Sequence, residues 1–191
     1  TAWSRLSTFA RTGNPVEPPE EHLGANDERT RTFVMSMHSK AQGLGRASMS
    51  RLNLSASKLL LDVGGGPGTY SVIAAQSNPD LHCIVLDLPA VVEIASELIH
   101  AAGLSERITT LGGDYHSTAF PQSVDVVHFF GMLHQETPDG IRDLLRRAYE
   151  ALVPGGLVHV LDMMTDETRT QPTYSALFSI NMAMTSRGGR V

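Results

Sequence analysis

The run Leu59-Leu60-Leu61-Asp62-Val63 passes directly into Gly64-Gly65-Gly66-Pro67-Gly68, and no other stretch restricts the fold as strongly. A nearly continuous apolar run ended by glycines is the pattern of a parallel strand buried on both faces. Four glycines in five positions let the backbone turn sharply and come close to a ligand. An ordinary glycine turn is the alternative reading. A helix predicted over residues 68–77, stopped by Asn78-Pro79, follows the loop. The loop therefore sits at a strand–helix junction, where open α/β sheets bind their ligands.

The alternation continues along the chain. Strands are predicted over 83–86, 108–111, 124–129 and 157–161. A helix over 90–102 carries Val91, Ala95, Leu98 and Ala102 on one face and ends at Gly103. Another opens with Thr137 as N-cap and Pro138 in its first position, with Ile141, Leu144, Leu145, Ala148, Tyr149 and Leu152 on one face. Pro154-Gly155-Gly156 is read as the turn before the last strand. Strands alternating with helices predict an α/β, Rossmann-like doubly wound sheet.

Ahead of the sheet, residues 11–30 are polar and proline-rich and read as a connector. Residues 27–49 show helical spacing, with Phe33, Met37, Ala41, Leu44 and Ser48 on one stripe. Gly43 and Gly45 weaken that helix by ~1 kcal/mol each. The expected organisation is an N-terminal connector and helical arm over 1–57 and a ligand-binding domain over 58–191. The chain starts at Thr1 without a methionine and stops at Arg187-Gly188-Gly189-Arg190-Val191. Both ends read as cut, so the sheet is expected to lack its last strands.

Composition narrows the function. The 191 residues suit about one domain, and 41% are hydrophobic, enough for a core. Lysine plus arginine number 15 against 20 acids, a net charge of −5. That balance opposes binding nucleic acid through phosphate neutralisation. No run approaches the ~20 apolar residues of a membrane helix. The single cysteine, Cys83, excludes a disulfide framework or a cysteine-rich zinc site, and it fits a reducing cytoplasm. His22, His38, His82, His100, His116, His128 and His159 show no metal-ligand spacing, so no metal is expected.

Asp87 ends the second strand, 19 residues after Gly68. An acid there can accept hydrogen bonds from both ribose hydroxyls of a nucleoside. A loop acid or an N-cap before Leu88-Pro89 is the plainer alternative. The dinucleotide fingerprint G-x-G-x-x-G needs glycine where Thr69 stands, which disfavours a nicotinamide oxidoreductase.

The spacing that is present, Asp62-x-Gly64-x-Gly66-x-Gly68, resembles motif I of the S-adenosylmethionine (SAM)-dependent methyltransferases. The order of Leu61-Asp62-Val63-Gly64-Gly65-Gly66, Leu86-Asp87-Leu88-Pro89, Gly113-Asp114, His134 and Leu152-Val153-Pro154-Gly155-Gly156 resembles the small-molecule O-methyltransferases of the caffeic acid and hydroxyindole type, in a bacterial version. The resemblance covers residues from about 58 to 191. It implies SAM as cofactor and S-adenosylhomocysteine as product. Asp62, Gly64, Gly65, Gly66, Gly68, Asp87, Leu88, Asp114 and Tyr115 would bind the cofactor, with Asp62 near its amine and Asp114 and Tyr115 at adenine. His134 would remove the acceptor's hydroxyl proton and Asp162 would orient it. A second orienting acid would lie beyond Val191. Where plant members have aspartate after the histidine, Gln135 and Glu136 stand here.

Met132, Met163, Asn181 and Met182 are candidate contacts for a small, aromatic hydroxyl acceptor. Methionine suits flat rings through deformability and sulfur–aromatic contact, although core filling explains methionines equally well. The resemblance also implies a cytoplasmic homodimer built through the N-terminal helices, with no nucleic-acid or membrane partner. Two rivals stay open. One is a relative that keeps SAM without transferring methyl, in a hydroxylase, decarboxylase or rearrangement role. The other is a catalytically inactive subunit.

Overall fold

The computed structural model describes residues 2–16, 24 and 26–185. Five strands form one sheet: β1 (Leu59–Val63), β2 (His82–Asp87), β3 (Ile108–Gly112), β4 (Val124–Phe130) and β5 (Leu152–Leu161). Their order is β3-β2-β1-β4-β5. β1 runs parallel to both β2 and β4, and β2 runs parallel to β3. The chain winds outward from β1 through β2 to β3, then returns to place β4 on the other side of β1. The 64–68 loop leaves β1 at that reversal, where doubly wound sheets bind ligands. Leu60, Leu61, Asp62 and Val63 are fully buried, as a strand covered on both faces requires.

Helices connect the strands: α3 (Thr69–Ser77), α4 (Pro89–Ala101) and α5 (Pro138–Ala151). Each begins within two residues of its expected start. Gly103 takes a φ of 70° just past α4, the left-handed closure its position predicts. Thr137 Oγ1 accepts from the Gly140 N–H at 3.2 Å, the expected N-cap of α5. That helix buries Leu144, Ala148 and Ala151, whereas Leu145 and Tyr149, expected on the same face, are exposed.

Residues group into two compact units, one of 22–130 with 147–160, the other of 1–21, 131–146 and 161–191. In the first, α2 (Asp27–Met49) packs on α3 and α4. Its limits match the expected helix, and Asn26 caps it by accepting from Arg29 N at 2.9 Å. Its buried face is not the expected stripe. Thr30, Val34, Ala41, Gly45 and Met49 are buried, while Phe33 is 42% and Leu44 50% exposed. Gly45 explains the shift. A Cβ there would lie 2.5 Å from Ile73 Cδ1, so α3 closes in where α2 has no side chain. The glycine read as weakening the helix sets its packing face. In the other unit, α1 (Leu6–Thr12) precedes Val16, whose N–H donates to Met184 O of α6 (Thr173–Thr185) at 2.8 Å.

β5 also differs from expectation. It begins at Leu152, so Pro154-Gly155-Gly156 falls within the extended segment. Gly155 still turns, at a φ of 83°. Proline and glycine are tolerated because β5 is an edge strand. Arg187 to Val191, the end read as cut, lie outside the described residues.

Candidate functional site

The glycine loop is shaped by backbone bonds. Gly64 N–H donates to Leu86 O at 2.8 Å and Gly68 N–H to Gly65 O at 2.9 Å. Gly64, Gly66 and Gly68 have φ values of 64°, 54° and 67°, which favour glycine on steric grounds. At Gly65 space is the constraint: a Cβ would lie 2.8 Å from Asp62 Cγ and 2.9 Å from a Val85 methyl. Gly66 has open space where its side chain would be, so the loop presents bare backbone there.

Asp87 ties this loop to the next. Its Oδ2 accepts from Gly66 N–H at 2.8 Å and its Oδ1 from Leu88 N–H at 2.7 Å. Its carbonyl accepts from Gly113 N–H at 2.9 Å. Each carboxylate oxygen keeps a further acceptor site. Burial raises the Asp87 pKa, against the lowering effect of the two backbone donors. Asp62 is fully buried and turned inward, with Oδ2 accepting from Ser71 Oγ at 2.7 Å. Burial pushes it up to about 7, with Ser71 opposing and the charge of Asp87 adding to the rise. Asp62 thus lies beneath the loop rather than on its open side.

Asp114 is exposed, and its Oδ1 accepts from His116 N–H at 2.8 Å. Tyr115 is half-buried and packs against His116. Arg147, which sequence reasoning missed, organises this segment. It donates to Tyr115 O at 2.5 Å and to Thr118 O, and its guanidinium lies 4.1 Å from the centre of the Phe120 ring. One arginine in the run Arg146-Arg147 carries no sequence signal for that task.

In the other unit, a short turn, Leu133–Gln135, presents His134. Its Nδ1 lies 2.7 Å from Asp162 Oδ1, and its backbone N–H donates to Asp162 Oδ2 at 3.1 Å. Met163 N–H donates to Asp162 Oδ1 at 2.7 Å. Burial opposes the charge on Asp162, but His134 and the backbone donors hold its pKa below the ordinary carboxylate value. An ionised carboxylate only accepts, so the proton of a neutral His134 sits on Nδ1 and the Nε2 lone pair stays free to take another. Phe178 of α6 meets the imidazole edge-on at 4.9 Å. This contact was also missed, because nothing in the α6 sequence distinguishes Phe178 from a core residue.

Among the candidate acceptor contacts, Met132 is buried, while Met163, Asn181 and Met182 are half-buried. Asn181 Oδ1 already accepts from Trp3 Nε1 at 2.9 Å. Cys83 is buried and its thiol is pushed up to about 12 by burial. A cavity of about 420 Å³ between α2, α3 and α4, lined by His38, Gln42, Arg46, Thr69, Val72 and Leu98 among others, contains none of the candidate residues. Among the described residues no helix is long and apolar enough to cross a membrane.

Known proteins are similar to this chain in sequence and fold. Residues 17–191 match the O-methyltransferase domain family. The L-tyrosine C(3)-methyltransferase of Streptomyces lavendulae is 34% identical over 170 residues, covering 88% of this chain and 46% of that protein. The 3-hydroxy-5-methyl-1-naphthoate 3-O-methyltransferase of Streptomyces sahachiroi is 29% identical over 189 residues, covering 97% of this chain and 55% of that one. The chain thus spans about half the length of these relatives. The crystal structure of human N-acetylserotonin methyltransferase in complex with SAM superposes with a TM-score of 0.87 at 26% identity, covering 98% of this chain and 56% of that one.

Proposed function

This chain belongs to the O-methyltransferase domain family, and from that premise we propose that it binds SAM and directs methyl transfer to a hydroxyl of a small aromatic molecule. The observation that carries the reading is the 2.7 Å contact between His134 Nδ1 and Asp162. It leaves one imidazole nitrogen as a base in a turn that follows the carboxyl end of β4.

The residues around the loop fit this cofactor. Bare backbone at Gly66 gives room for close approach. The spare lone pairs of Asp87 suit ribose hydroxyls, with Leu88 beside them. Asp114 and Tyr115 are assigned to adenine, and Arg147 fixes their segment. Asp62 and Asp87 are buried carboxyls with raised pKa values, a pair whose ionised forms a cationic ligand favours. When bound, SAM supplies a methyl group made electrophilic by its sulfonium.

The rest is work for the chain's own side chains. His134 Nε2 takes the acceptor's hydroxyl proton while Asp162 holds the ring's orientation and balances the developing imidazolium. A phenol has a pKa of ~10 against ~6.5 for histidine, so the base acts by position and concerted transfer rather than by prior ionisation. Met163 and Met182 are assigned to the acceptor's ring. Phe33 and Leu44, exposed on α2, are assigned to the interface of a homodimer, and a monomer by light scattering counts against that part.

A second reading follows from the relative that methylates C(3) of L-tyrosine. Phenoxide shares its charge between the oxygen and the ortho carbons, so one base serves both acceptors. The test is turnover of SAM with a panel of phenols and naphthols, followed by NMR of the product. A methyl ether supports the first reading and a ring methyl the second. S-adenosylhomocysteine release with none of the panel contradicts both.

A further inference from the structure

Asp62 and His128 are register partners on the neighbouring parallel strands β1 and β4. Both face α3. Asp62 bonds Ser71 of that helix. His128 stacks on Phe130 with centroids 4.3 Å apart, and Phe130 meets Tyr70 of α3 edge-on at 5.1 Å. Both residues are completely buried. Each has one polar atom satisfied: Asp62 Oδ2 by Ser71, and His128 Nε2 by His159 Nδ1 at 3.1 Å. Each has one fully buried atom without a protein partner, Asp62 Oδ1 and His128 Nδ1. Buried polar side-chain atoms are overwhelmingly hydrogen-bonded, to protein or to ordered water. Two exceptions at one register of adjacent strands, on one face, call for a common explanation.

We propose that Asp62 and His128 together hold one buried water molecule between β1 and β4, beneath the glycine loop. Water fits because it donates and accepts at once. An ionised carboxyl oxygen accepts, a protonated one can donate, and a neutral imidazole nitrogen either donates or accepts by tautomer, so water complements every combination. Burial, with the neighbouring His159 adding to it, pulls His128 down to about 3, which keeps its ring neutral. A metal ion fits poorly, since among the described residues no group of three or more His, Cys, Asp or Glu side chains is placed to hold one.

The water completes a polar row across three strands: Ser71 and Asp62 over β1, His128 on β4, His159 on β5. The row has a consequence for the loop. Asp62 Cγ lies 2.8 Å from where a Gly65 Cβ would be, so the orientation of this carboxyl sets the loop's floor. His128 is thereby a positioning residue for Asp62. None of this depends on what the loop binds.

A crystal structure of the chain at a resolution that orders internal waters tests the site directly. One density peak within hydrogen-bond distance of both Asp62 Oδ1 and His128 Nδ1 is expected. No peak, or a peak reaching only one of them, overturns the proposal. In solution, oxygen-17 relaxation dispersion should count one long-lived internal water fewer in His128→Phe than in the unmodified chain, with the count restored in His128→Gln. An unchanged count in His128→Phe overturns it. The Gly65 amide should exchange at least about tenfold faster in His128→Phe and recover in His128→Gln. Unchanged exchange removes the positioning role. Should His128→Phe fail to fold, the crystal structure and His128→Gln still decide.

Discussion

The glycine loop and the histidine turn are held in place by different means. Around the loop, backbone donors carry the geometry: Gly64 on Leu86 O, Gly66 on the Asp87 carboxylate, Gly113 on Asp87 O. At the turn, Asp162 bonds both the His134 ring and its backbone N–H. A backbone-held loop tolerates most side-chain changes and fails where a glycine or its capping acid is lost. A side chain oriented by one carboxylate keeps its fold through an isosteric change and loses its chemistry. The two regions therefore predict different mutational signatures, one in affinity and stability, the other in rate.

The largest effect is expected at the turn. His134→Ala should lower methyl transfer by about 10²–10⁴-fold, the range for loss of a general base, with SAM affinity within about twofold. Near-native turnover in single-turnover assays would make the histidine structural. At the loop, Asp87→Ala should weaken SAM by roughly 1.5–3 kcal/mol, the worth of charge-assisted hydrogen bonds, as read by calorimetry. A loss of rate without a loss of affinity would erase the contrast between the regions.

Gly65→Ala sharpens the comparison from the side of space. Its methyl would meet Asp62 Cγ and a Val85 methyl inside 3.0 Å, so roughly 1–3 kcal/mol of stability should be lost, as in overpacked cores. Urea titration checks it, and unchanged stability would mean that the loop moves freely above Asp62.

The smallest effect concerns acid. Asp162 has a folded pKa below its ordinary value, so its carboxylate adds stability that is complete above the ordinary carboxylate range. That stability is lost as pH falls through the lowered value. Asp162→Asn should flatten this acid limb in unfolding titrations and lower stability at neutral pH by about 1 kcal/mol, since the Asp162 side chain is buried and an amide cannot accept from all of its donors. An acid limb of undiminished slope would place the linkage elsewhere.

Much of this was legible in the sequence, for a physical reason. A strand buried on both faces must be apolar throughout, and its exit at a ligand edge must bend sharply. Leu59 to Gly68 therefore announce both the sheet and the loop. Thr137, Pro138 and Gly103 mark helix ends because unsatisfied backbone groups demand them. The face of α2 was not legible. Apolar size pointed to Phe33 and Leu44, whereas Gly45 let α3 approach and drew Val34, Ala41 and Met49 inward. The extent of β5 was hidden because proline and glycine read as a turn, and only its place at the sheet edge makes them compatible with a strand. Ser71, Arg147 and Phe178 act through contacts distant in sequence, on Asp62, on the 115–118 carbonyls and on His134, and local pattern carries no trace of these.

The most direct measurement is a calorimetric titration of this chain with SAM, with NAD as control, across pH 6 to 8. SAM should bind and NAD should not. Burial raises Asp62 to about 7, and a cationic ligand favours its ionised form. Binding should therefore expel protons, and affinity should strengthen as pH rises through that range, by less than about tenfold per unit for one linked proton. Binding of NAD without SAM, or SAM affinity that weakens as pH rises, would contradict the account.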